Sequence, residues 1–204
     1  FNKLDFEITR QIHLIQDATH KISTSSDIES SLIYAVEIFL SKINWKCIGS
    51  GVNFNLSKYT SKRLIKELER ACAFDVLENH KHIDISAESA ILVFIGNILK
   101  KGYQEDAFSE LEKIIAHNNI PLIITNEGDD RFDGMLLNQM ELNNDKSDIK
   151  VPVIKIPRVG TQYSFALNVF LVEMFIRILK DKNSSNKLNG SFSDATQPPT
   201  TELF

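Results

Sequence analysis

Glu67 and His82 are a carboxylate and an imidazole set between two apolar runs, the pair of groups that proton transfer at carbon requires. Upstream, the apolar run Trp45-Lys46-Cys47-Ile48 enters Gly49-Ser50-Gly51, and an amphipathic stretch then ends in Lys66-Glu67-Leu68. A glycine turn between a strand and a helix N-terminus can cradle an anion, because free backbone N–H groups and the helix dipole both point at it. Gly49, Ser50, Gly51 and Asn53 would line such a cradle. The same turn equally suits a chain reversal that needs glycine for its backbone angles. A dinucleotide site fits poorly, since Phe54 replaces the third glycine and Asp75 is the only acidic candidate for a ribose.

Each candidate has a plainer reading. Glu67 lies among Lys62, Arg63, Lys66, Glu69 and Arg70, as a solvated helix face would. His80 and His82 are two positions apart, so a helix would point them away from each other. Glu78 and His82 would be neighbours at i,i+4, but two ligands without a third do not make a zinc site. No metal site is therefore expected. His13, His20 and His117 read as structural.

These residues must be held by alternating elements. Leu4, Ile8, Ile12, Ile15 and Ile22 have helical spacing, and a second helix follows from about Ile28 to Leu40, with Ser23, Thr24 and Ser26 as candidate caps. Strands are expected at Trp45–Ile48, Ala90–Ile95, Pro121–Thr125 and Val151–Ile156. Helices are expected at about Leu56–Arg70, Gln104–His117 and Gln162–Lys180. Residues 74–77 form a short segment, 129–150 read as loop, and 183–204 as a flexible polar tail. Alternation of this kind implies a three-layer α/β domain over residues 41–182, with a four- or five-stranded parallel sheet behind two lead-in helices at 1–40. Ligands of such sheets sit beyond the C-terminal ends of the strands, so residues 49–53, 96–101 and 125–129 share one rim, with Thr125 among the candidate ligands.

Composition narrows the partners. With 23 basic and 27 acidic residues and no basic stripe, nucleic acid is not expected. Cys47 and Cys72, on apolar segments, suggest reduced, buried thiols in a cytoplasmic protein. Residues 163–179 are apolar enough to suggest a membrane span, yet Asn168, Glu173 and Arg177 interrupt them. A helix buried on most faces is expected instead. The start at Phe1 suggests a fragment of a longer protein.

The ordered set Gly49-Ser-Gly-Val-Asn-Phe, Arg63-Leu-Ile-Lys66-Glu67-Leu, Glu78-Asn-His-Lys-His82-Ile, Ser89-Ala-Ile-Leu-Val-Phe-Ile-Gly-Asn97, Ile120-Pro-Leu-Ile-Ile-Thr125-Asn126 and Lys155-Ile-Pro157 resembles the sugar isomerase (SIS) domain. Within that family it is most similar to the C-terminal SIS domain of the isomerase part of glucosamine-6-phosphate synthase and related phosphosugar isomerases, over residues 1–182. The resemblance implies a sugar-phosphate ligand, a preceding SIS domain and a homodimer. It also implies an isomerase or aminotransferase/deaminase needing no cofactor. Glu67 would be the base that moves a proton through an enediol(amine), and His82 would assist ring opening, often from a neighbouring subunit. The spacing from Gly49 is about one residue longer than in the synthases, so Lys66 is the alternative at the Glu67 position. Gly96-Asn-Ile-Leu-Lys-Lys-Gly102 lacks the Ser/Thr of a phosphate loop, which assigns the phosphate mainly to the preceding domain. The tail from Lys187 lacks the synthases' lysine-bearing end. The other function in keeping with these residues is a non-catalytic SIS module that binds a sugar phosphate or a partner subunit.

Overall fold

A computed structural model describes residues 2–82, 89–96, 101–117, 119–136 and 150–194. Two helices, α1 (Asn2–Thr24) and α2 (Ser26–Ser41), lead into β1 (Asn44–Gly49), α3 (Val52–Leu68), β2 (Cys72–Asp75) and a short 3-10 helix (Leu77–His82). Then follow β3 (Ser89–Phe94), α4 (Lys101–Ala116), β4 (Ile120–Asn126), β5 (Val153–Ile156) and α5 (Thr161–Asp194). The strands form one parallel sheet in the order β2-β1-β3-β4-β5. The expected α/β architecture is what the chain adopts.

Every residue of β3 and β4 is buried, as continuous apolar runs demand of strands covered on both faces. Alternation then divides the core. Leu92 and Phe94 face Phe39, Trp45, Leu64 and Phe175, from α2, β1, α3 and α5. Ile91 and Val93 face Leu111 and Ile114 of α4, together with Phe132. Each fully buried Leu, Ile or Phe of this kind stabilises the fold by roughly 1.5–3 kcal/mol. Trp45 also finds a place for its polar edge, donating Nε1–H to the carbonyls of Phe39 (2.9 Å) and Lys42 (3.0 Å).

Several details depart from the sequence reading. β2 is a strand where only a short segment was expected over 74–77. It is a four-residue edge element, half exposed, so its pattern carries little apolar signal. The cap of α2 is Ser25, whose Oγ accepts the Ile28 N–H. On α1 the apolar stripe is only partly used: Ala18 and Ile22 are buried, whereas Ile8 and Ile12 are exposed. Helix α5 buries Leu167, Leu171, Val172, Phe175, Ile176 and Leu179 within the chain and leaves Phe165 45% exposed. It also runs on to Asp194, because adding a turn to a formed helix costs little. Phe132 and Met135 are buried although they fall in the segment expected to be loop. Among the described residues, no helix is long and apolar enough to cross a membrane. Cys47 and Cys72 are free and buried, with their sulfurs 3.6 Å apart.

Candidate functional site

Parallel pairing brings the C-terminal ends of β1, β3 and β4 to one rim, and there the Gly-Ser-Gly turn hands β1 to α3. A Cβ on Gly49 would stand 2.7 Å from the Asn53 carbonyl oxygen and 2.8 Å from Ser57 Oγ, so only glycine lets α3 start this close to the strand. Gly51 lies at φ +59°, in the left-handed region, and is the N-cap of α3 without a side-chain hydrogen bond.

The polar groups expected to meet a ligand on this rim are engaged with the protein itself. Ser50 Oγ accepts the Leu77 N–H (3.1 Å) and donates to Glu78 Oε2 (2.5 Å). Asn53, 4% exposed, donates Nδ2–H to the carbonyls of Phe94 (3.2 Å) and Gly96 (2.9 Å). Thr125 donates to Asp129 Oδ2 at 2.9 Å. Burial pushes the Asp129 carboxyl up, but the hydrogen bonds from Arg131 and Thr125 outweigh it and hold the group below its ordinary range. The rim is therefore latched by side-chain bonds between neighbouring loops. Residues 97–100, expected on the same rim, lie outside those described. So does the His82 side chain; its backbone closes the 3-10 helix that begins beside Ser50.

Glu67 is elsewhere. A helix of this length puts it about 24 Å from Gly51, at 1.5 Å per residue, so Glu67 and the glycine turn occupy opposite ends of α3. There it lines a cleft of about 270 Å³ between α3 and α5, with Arg63, Glu173, Arg177, Lys180 and Asp181. Glu67 Oε1 accepts from Arg63 Nη1 and Oε2 from Lys180 Nζ, each at 2.7 Å. Those bonds, Lys180 first, hold its carboxyl below the ordinary range. Arg63 meanwhile forks onto Glu173, Nε to Oε1 and Nη2 to Oε2, both at 2.8 Å, and Tyr59 donates its hydroxyl to Glu173 Oε1 at 2.6 Å. The fork draws the Glu173 carboxyl down to about 2 against the effect of burial, with Tyr59 adding to the pull. Lys66, the alternative to Glu67, is exposed and does not line the cleft.

Tyr59, Glu173 and Lys180 were not among the expected site residues. Their signal was present, since Glu173 and Lys180 interrupt an apolar helix seven positions apart, on one face. A larger hollow of about 520 Å³, lined by Phe108, Ile115, Arg131, Met135 and Leu136, lies over α4. None of the expected site residues lines it, and its volume is a poorer guide than the charged groups gathered at Glu67. Among the described residues, no group of three His, Cys, Asp or Glu could hold a metal ion.

No protein-family model and no curated protein matches the sequence. Solved structures do match. The C-terminal domain of glucosamine-fructose-6-phosphate aminotransferase from Francisella tularensis superposes with a TM-score of 0.60 at 16% identity, covering 88% of this chain and 45% of that one. This chain thus spans under half of that structure. The sugar isomerase domain of the RpiR transcription factor from Sphaerobacter thermophilus matches at a TM-score of 0.57 and 10% identity, covering 93% of this chain and 96% of that one. The Vibrio vulnificus NanR protein, complexed with ManNAc-6P, matches at 0.55 and 13%, covering 95% and 71%. At such identities the likeness is one of fold, and the fold of this chain is that of the sugar isomerase, or SIS, domain.

Proposed function

We propose that this chain is a sugar-phosphate-binding SIS domain and the C-terminal half of a sugar-phosphate isomerase or aminotransferase/deaminase acting on a hexose or amino-sugar phosphate. The setting of Glu67 carries the reading. Its carboxylate stands at a cleft, partly open to solvent, where Arg63 and Lys180 hold it in place. Like any ordinary carboxylate it is ionised at neutral pH, the state a general base needs, and the two cations lower its proton affinity. Glu67 takes the proton from C2 of the open-chain sugar, leaving an enediol or enolamine, and returns it to C1. Such a transfer uses neither a metal nor a redox cofactor. His82 belongs to the other end of the domain, so its help in ring opening comes to a Glu67 cleft from a second copy of the chain, in a homodimer. The phosphate is held mainly by a preceding SIS domain, in keeping with Ser50, Asn53 and Thr125 being committed to internal bonds.

That same commitment favours a second reading, a module that binds a sugar phosphate or a partner without catalysis. Fold relatives that include a transcription factor's sugar isomerase domain and a protein complexed with ManNAc-6P fit it equally. Solvent-deuterium exchange at C1 and C2 of hexose phosphates, followed by NMR, separates the two. Catalysis predicts exchange by the wild type and a loss of about 10²–10⁴-fold in kcat for Glu67→Gln with KM nearly unchanged. Stabilisation by a sugar phosphate with no exchange in the wild type would leave the binding module standing.

A further inference from the structure

Arg63 and Glu67 are an i,i+4 pair with the cation on the N-terminal side, the weaker order on a helix. Their geometry therefore owes more to what holds Arg63 than to α3 itself. A guanidinium carries its N–H groups in one rigid plane, so fixing two of them fixes the direction of the rest. Glu173 of α5 takes Nε and Nη2 as a fork, and Tyr59, one turn before Arg63, holds Glu173 in place through Oε1. Only the Nη1 edge is left, and it is directed at Glu67 Oε1. The second cation on Glu67 is held differently: Lys180 is a single-point donor on a flexible stem, 49% exposed against 28% for Arg63. Arg63 is the fixed partner and Lys180 the exchangeable one.

We propose that Glu173, steadied by Tyr59, is a positioning residue that aims the Arg63 guanidinium at Glu67 and so fixes the orientation and charge of that carboxylate in the cleft. Its catalytic consequence rests on the reading of Glu67 as a base. The competing role is a surface clamp that merely fastens α5 to α3, where exposed ion pairs contribute little.

The two roles differ in sign at Glu67. The charged groups facing Glu67 are Arg63 from its own helix and Glu173, Arg177, Lys180 and Asp181 from α5. If Glu173 acts only as a nearby negative charge, removing it makes Glu67 easier to ionise and its titration midpoint falls. If Glu173 aims Arg63, removing it frees the guanidinium, Glu67 loses its fixed donor and the midpoint rises. The measurement is a 13C NMR titration of the protein labelled at its glutamate δ-carboxyls, with the Glu67 resonance assigned by its loss in Glu67→Gln. Glu173→Gln is expected to move the midpoint up, and Tyr59→Phe, which keeps all charges, to move it less far in the same direction. A midpoint that falls or stays in both variants overturns the proposal, and Tyr59→Phe decides alone should Glu173→Gln fail to fold.

Deuterium exchange into a hexose phosphate provides the second arm. Glu173→Gln should lower kcat by about 10–100-fold at constant KM, as misplacing a base does, and should add nothing in a Glu67→Gln background. Full additivity of the two substitutions would also overturn positioning. A raised Glu67 midpoint combined with wild-type exchange by Glu67→Gln would instead remove the base and leave the positioning intact.

Discussion

Replacing Asn53 by aspartate tests whether the rim is latched from within. The two side chains have one shape, but Asn53 uses its amide only as a donor, toward the carbonyls of Phe94 and Gly96, at a site 4% exposed. In Asn53→Asp, an ionised side chain would press a carboxylate against two carbonyl oxygens out of water. The folded variant instead keeps the new carboxyl protonated, restoring one O–H donor and leaving one carbonyl unmet, at about 1–3 kcal/mol. Burial and the carbonyl dipoles thus raise its folded pKa above the unfolded value of about 3.9. For a group raised on folding, that contribution is intact below the unfolded pKa and is lost as pH climbs, at about 1.4 kcal/mol per pH unit. Between about pH 5 and pH 7 the variant should therefore lose about 2.7 kcal/mol relative to wild type. Asn53→Ala, which leaves both carbonyls unmet, should cost about 2–4 kcal/mol with no such pH slope. Urea unfolding monitored by circular dichroism at several pH values measures both. A stability profile for Asn53→Asp parallel to wild type across that range would refute the latch.

The remaining expectations concern the turn, the ion cluster and the shared site. Gly49→Ala should destabilise by about 1–3 kcal/mol through its clash with Asn53 and Ser57, about 2–4 °C in Tm per kcal/mol, and Gly51→Ala, with open space around it, should cost about 1–3 kcal/mol through backbone strain alone. Glu173 has its pKa lowered on folding, so its contribution is present above about 4.5 and is lost as pH falls toward 2; with the side chain 37% exposed, screening limits it to about 1 kcal/mol, and Glu173→Gln should flatten acid unfolding over that window. If Glu67 and His82 serve one site from two copies, mixing Glu67→Gln and His82→Asn chains should restore about a quarter of the wild-type rate on a cyclic hexose phosphate, since half the dimers are hybrids with one intact site. A mixture no faster than the two variants alone would mean that the copies do not share the site.

The layers of this fold are legible because their signal is local and strong. A run such as Ala90-Ile-Leu-Val-Phe-Ile95, too short for a helix and followed by Gly96-Asn97, fits a strand covered on both faces; the run at Pro121 repeats it, and β5 follows in the right order with alternating burial. Strand β2 escapes such a reading because an edge strand of four residues owes its existence to β1 beside it, not to its own side chains. Phe132 and Met135 read as loop because their burial depends on α4 and on a bridge between Leu136 and Lys150 far along the chain. Register and burial set by distant partners leave no period in a sequence.

The site is legible only in parts for the same reason, and its parts do not lie together. Residue types identify Gly49, Asn53 and Glu67, but type cannot tell a ligand donor from an internal one. Asn53 is a donor whose two acceptors are carbonyls of another strand end, and Glu67 is one of six charged groups in a cleft that only the crossing of α3 and α5 creates. The two stand near opposite ends of one helix of 17 residues. Since a parallel sheet with α3 alongside it leaves no path for Glu67 to reach the glycine rim of its own chain, the two ends can take part in one reaction only by meeting complementary ends from elsewhere. The charged cleft therefore has to be judged by what another domain or copy brings to Arg63, Glu67 and Lys180. The rim has to be judged by whether Glu78 can leave Ser50 when a ligand arrives.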